Sequence, residues 1–140
     1  MKTKFTSLVV LHKKKVDEMQ MLLQNYTKRI VAKQAEIDAL VAEFAALKEP
    51  QSGIYQAFLT FAHHKEEYRF NIDDKMQELA ILKQEKRELQ ERFKLQNIEY
   101  EKAKYLEKLE AKKLLHQIQK QESREMDEVS VMLYANNNIS

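Results

Sequence analysis

The chain has 140 residues and a net charge of only +2, with 33% of its residues charged. It contains one glycine, one proline and no cysteine. These counts exclude turn-rich sheet folds, disulfides, thiolate nucleophiles and zinc–sulfur sites, and they argue against strong polyanion binding by the molecule as a whole. The longest apolar run near the N-terminus, Leu8-Val9-Val10-Leu11, is too short for a signal-peptide core or a membrane span, so a soluble cytoplasmic protein is expected.

The first element is a helix over about residues 5–48. Stepping alternately four and three residues from Phe5 gives Val9, His12, Val16, Met19, Leu23, Tyr26, Ile30, Lys33, Ile37, Leu40, Phe44 and Leu47. All but His12 and Lys33 are apolar. A mean spacing of about 3.5 residues keeps one stripe facing a partner helix, which is the pattern of a coiled coil. Lys2, Lys4, Lys13, Lys14 and Lys15 all precede the first acid, Asp17, so the start of this helix is basic.

Pro50 stops the pattern, because it disfavours helical geometry at Glu49 and has no amide hydrogen. Ser52 and Gly53 follow, a capping residue and a permissive turn residue. The expected turn covers residues 49–53. A connection this short returns the second helix antiparallel to the first.

The second helix is expected over about residues 54–134, with a frayed tail at 135–140 beyond the Asn136-Asn137-Asn138 run. Its stripe reads Phe58, Phe61, Lys65, Tyr68, Ile72, Lys75, Leu79, Leu82, Lys86, Leu89 and Phe93. The lysines lay their methylenes on the seam and keep the ammonium in water. After Phe93 the apolar residues become Leu95/Ile98, Leu106/Leu109 and Leu115/Ile118, and the register slips. A tight turn puts Phe5 level with about Gln96 to Ile98, so the helix from about Ile98 to Leu133 is expected to project without a partner. The fold expected is one all-α domain: a long antiparallel two-helix coiled-coil hairpin whose second helix outruns the first.

No enzyme signature is present. A phosphate-cradling loop needs several glycines. His63 and His64 are adjacent and point to different faces, whereas helical metal pairs favour i, i+4 spacing. Neither a metal nor another cofactor is expected. The lysines of the N-terminus lack interleaved aromatic residues beyond Phe5, so nucleic-acid binding is not expected.

Binding surfaces are expected at both ends. Near the turn, Tyr55, Phe58, Leu59 and Ala62, with Leu40 and Val41 of the first helix, exceed what one seam can bury, and surplus exposed apolar surface marks a partner site. At the other end stand Lys13, Lys14 and Lys15, then Leu115 and Ile118, and finally Met126, Asp127 and Glu128.

Three stretches carry a family resemblance: Tyr55-Gln56-Ala57-Phe58-Leu59, Lys104-Tyr105-Leu106-Glu107-Lys108-Leu109, and Glu122-Ser123-Arg124-Glu125-Met126-Asp127-Glu128. Together with the hairpin layout, the sequence resembles the FliJ family of flagellar type III export proteins over nearly the whole chain. It departs from some members in having Glu43 and Leu47 where they carry tyrosines. The resemblance implies a non-catalytic cytoplasmic stalk, similar in fold to the central stalk of rotary ATP synthases and monomeric when isolated. Its terminal end would sit in the hexameric export ATPase, through Lys13, Lys14, Lys15, Leu115, Ile118, Met126, Asp127 and Glu128. Its tip would meet the cytoplasmic domain of the membrane export gate through Leu40, Val41, Tyr55, Phe58, Leu59 and Ala62. Export chaperones would be further partners. The alternatives are the equivalent stalk of a virulence secretion system and a structural homo-oligomeric coiled coil.

Overall fold

The computed structural model describes the backbone of residues 2–139 and the side chains of residues 2–137. It is all-α. Helix α1 spans Thr6–Ala45 and helix α2 spans Tyr55–Ile139, with no strand among the described residues.

A reciprocal cap starts α1. The Phe5 amide donates to Thr3 Oγ1 at 3.1 Å, and the Thr3 amide donates to Thr6 Oγ1 at 2.8 Å. Two of the donors that a helix start leaves unpaired are satisfied in this way. At the other end, the ladder tightens as Leu47 N–H bonds the Phe44 carbonyl at 3.3 Å, and Pro50 prevents its continuation. The connection is residues 46–54, longer than the expected 49–53. Gly53 takes φ +146° there, a conformation that side chains with a Cβ rarely adopt.

Two compact units make up the chain: Met1–Val16 with Leu95–Ser140, and Asp17–Lys94. In the Asp17–Lys94 unit the pairing is antiparallel. Tyr26 meets Glu85, Lys33 meets Glu78, and Phe44 meets Tyr68 with ring centroids 6.4 Å apart. Its core is Ile37, Leu79, Leu82 and Leu89, each at most 7% exposed. A fully buried leucine or isoleucine contributes about 2 kcal/mol. All thirteen expected seam positions of α1 are buried or half-buried. On α2 the same holds from Phe61 to Phe93, while Phe58 is 38% exposed and does not belong to the seam.

The terminal unit corrects the expected register slip. Past Phe93 the alternation of three and four continues through Gln96, Tyr100, Ala103, Glu107, Glu110 and Leu114, all buried or half-buried. Ala103 is the most buried, at 2% exposure. Leu95, Ile98, Leu106 and Leu109 lie outside that seam, 40–65% exposed. The α1 partner also reaches further than expected, since Thr6 Oγ1 donates to Glu107 Oε1 at 3.5 Å. The connection accounts for the offset. Phe44 is level with Tyr68, so α2 has already run about 20 Å from Tyr55. Nine residues of connection can span that distance. Fold-back is therefore centred further along the chain than a tight turn would place it.

From Leu115 to Asn137 every described side chain of α2 is exposed. The second helix thus outruns the first, but its unpaired part begins near Leu115 rather than Ile98. The helix continues to Ile139, past the expected stop at 134, and Ser140 of the expected 135–140 tail lies outside the described residues.

Candidate functional site

In the Asp17–Lys94 unit, α2 opens with Tyr55, Phe58, Leu59 and Ala62 at i, i+3, i+4 and i+7, a spacing that sets them on one helical face. Tyr55 is 76% exposed, Leu59 50% and Phe58 38%. Seam burial does not account for that face. Leu40 is a half-buried seam residue, and Val41 beside it is exposed. The structure does not bring these two together with the first four. Phe44 stacks at the level of Tyr68, so Leu40, one turn earlier, is level with about Ile72. That is roughly 20 Å along α2 from Leu59.

Phe70, absent from the sequence reading, stands 73% exposed on α2. It lines a shallow cleft with His63, Glu66, Glu67 and Asn71. Glu67 is paired with His63 at 3.0 Å and with His64 at 3.6 Å. The signal for Phe70 was its position, an aromatic residue between the seam residues Tyr68 and Ile72.

The middle of the unit is electrostatic. Lys33 on the α1 seam reaches Glu78 at 2.8 Å and Glu36 at 3.3 Å, and Lys75 of the α2 seam reaches Glu36 at 3.6 Å. Hydrogen bonds from Lys33 hold both carboxyls below the ordinary range, and the two carboxylates raise Lys33. The Tyr26 hydroxyl donates to Glu85 at 3.1 Å, which raises its pKa. Burial, then the charge of Glu43, raises Tyr68. These groups tie the helices together and need no catalytic explanation.

In the terminal unit Lys13, Lys14 and Lys15 are exposed. The Lys13 ammonium lies 5.7 Å from the centre of the Tyr100 ring, which Lys104 approaches to 4.6 Å. Nearby on α2, Glu99 takes Lys102 at 3.3 Å and Glu101 takes Lys104 at 3.1 Å. Leu115, Ile118 and Met126 are 48%, 45% and 68% exposed on the unpaired part of α2. Asp127 and Glu128 line an open groove with Val131 and Met132.

Among the described residues no group of three or more histidine, aspartate or glutamate side chains could hold a metal ion. No helix there is long and apolar enough to cross a membrane. What the chain offers to chemistry is surface: an aromatic patch at the start of α2, and a basic stretch with an uncovered helix in the terminal unit.

A protein-family model described as flagellar FliJ protein matches residues 1–138. No curated protein and no solved structure matches the chain significantly.

Proposed function

The chain belongs to the flagellar FliJ protein family, and from that membership we propose that it is a non-catalytic stalk of the flagellar type III export apparatus. In this reading it acts in the cytoplasm, at the inner face of the membrane. It links the hexameric export ATPase to the cytoplasmic domain of the export gate and assists the cycling of export chaperones.

The observation that carries the stalk is the uncovered end of α2. A lone helix is marginal in water, yet this one runs on past Leu114 with Leu115, Ile118, Val129 and Met132 45–65% exposed. Enclosure by a ring would remove that apolar surface from water. Lys13, Lys14 and Lys15 and the Asp127–Glu128 pair would guide entry, because charges at an interface rim act mainly on association rate. The patch of Tyr55, Phe58, Leu59 and Ala62 would be the gate contact, with Leu40 and Val41 about 20 Å away along the helix pair.

Truncation after Leu114 tests the assignment, because it removes only the part of α2 without half-buried side chains. The shortened protein should keep its hairpin and its affinity for the gate while losing stimulation of ATP hydrolysis. Full stimulation by the truncated protein would refute the ring contact.

A further inference from the structure

We propose that one side of the terminal unit is a docking groove for a single amphipathic α-helix whose apolar stripe is bordered by aspartate and glutamate. The inference does not rest on the uncovered end of α2, and of the residues assigned to the ring contact it shares only Lys15.

The argument begins with register. In an antiparallel helix pair, the residues that immediately precede seam positions emerge on the same side of the seam on both helices. In the Asp17–Lys94 unit those positions are mixed: they include Glu36 and Glu78, both held by Lys33 at 3.3 and 2.8 Å, beside the exposed Leu22 and Ile81. In the terminal unit five of the ten corresponding positions are leucine. Leu8 and Leu11 precede Val9 and His12, while Leu95, Leu106 and Leu109 precede Gln96, Glu107 and Glu110. The opposite side, made of residues that follow seam positions, holds Thr6, Lys13, Asn97, Glu101, Lys104 and Lys108, with Val10, Ala111 and Leu115 its apolar members.

Five leucines therefore share one side. Four of them, Leu8, Leu11, Leu106 and Leu109, are only 38–47% exposed. They flank the seam on both helices, which suits a third helix laid along the pair. The same side carries Lys4, Lys15, Lys102 and Lys113 against the single acid Glu99, which Lys102 already holds at 3.3 Å. Between Lys2 and Val16 there are five lysines and no acid. An occupant with leucine-type residues flanked by carboxylates matches this surface in both apolarity and charge.

The test uses the full chain and two synthetic helical peptides with the same leucine stripe, one flanked by glutamate and one by lysine. The glutamate peptide should bind about ten-fold more tightly or better than the lysine peptide, and its affinity should fall as salt is added. Its amide shifts should centre on Leu8, Leu11, Leu106 and Leu109. Leu106→Ala with Leu109→Ala should lower affinity about ten-fold while circular dichroism shows unchanged helicity. Lys113→Glu should weaken the glutamate peptide and favour the lysine peptide. Equal binding of the two peptides, binding of neither, or shifts centred on Leu115 to Met132 would overturn the proposal. So would capture of the chain by phosphatidylglycerol vesicles with no preference between the peptides, which would make the face a lipid contact. Self-association that occupies the leucines and blocks both peptides would make a second copy the occupant.

Discussion

His12 of α1 and Gln96 of α2 meet across the terminal unit's seam, with Nδ1 and Nε2 2.7 Å apart. The Gln96 amide donates and the imidazole nitrogen accepts. Both positions are half-buried and both belong to the three-four alternation that elsewhere carries leucine, isoleucine and valine. A polar pair in a seam gives up apolar burial and in return penalises other registers, since a shifted partner leaves a donor or acceptor unmatched.

Replacing both residues, His12→Leu with Gln96→Leu, should therefore raise the thermal midpoint. Gln96→Leu alone leaves His12 without its partner, so the double variant should be more stable than the sum of the two singles predicts, with a coupling of about 1 kcal/mol. Thermal melts of the two single variants and the double variant measure the coupling. If the double variant equals the sum of the singles, the pair has no role in the seam.

Acid should loosen the Asp17–Lys94 unit in a definite window. Glu36 and Glu78 are held below their ordinary value of 4.5 by hydrogen bonds from Lys33. A carboxyl depressed in the folded state contributes stability that is present above its unfolded pKa and is lost as pH falls through its folded value. The midpoint should hold steady above about pH 5 and drop below it. Glu78→Gln should lower the midpoint at neutral pH and shrink the acid drop. Because both carboxylates are about half exposed to water, the effect is screened and should diminish in high salt. An acid transition unchanged in Glu78→Gln would assign it to other carboxyls.

At the start of α2, Tyr55→Ala and Leu59→Ala should weaken binding to the export gate and leave folding almost unchanged. Exposed substitutions of this kind usually move stability by about 0.5 kcal/mol or less. Val41→Ala, at the level of the Phe44–Tyr68 stack rather than of Leu59, should affect gate binding less than either. Titration with the isolated gate domain, alongside melting curves, separates the two effects. A large loss of stability in the Leu59 variant would make that residue part of the fold's packing.

Much of this was legible in the residues. The thirteen α1 positions from Phe5 to Leu47 are the seam, because strict alternation of three and four survives wherever one stripe faces one partner. On α2 the same reasoning held from Phe61 to Phe93. It lost the thread at Gln96, Tyr100, Ala103 and Glu107, since a hydrophobicity pattern cannot find a seam built of polar and small residues. Neighbouring leucines at 95, 106 and 109 pulled the reading toward a slip. The level of the two helices was missed for a different reason. It depends on how far the connection travels along α2, which no periodicity encodes. Exposure of Tyr55 and Leu59 is readable as surplus apolar surface, whereas Phe58 fits both the stripe and the patch and Phe70 falls between stripe positions.

The Lys33 and His12 positions also decide what the chain rejects. If two copies paired in parallel along their α1 stripes, Lys33 would face Lys33 and His12 would face His12, and neither Glu78 nor Gln96 would be there to meet them. Folding back on itself, the same stripe meets Glu78 at 2.8 Å and Gln96 at 2.7 Å. Since both partners are on the same chain, closure is intramolecular and does not dilute away. These two seam positions thus find their partners without a second copy of the chain.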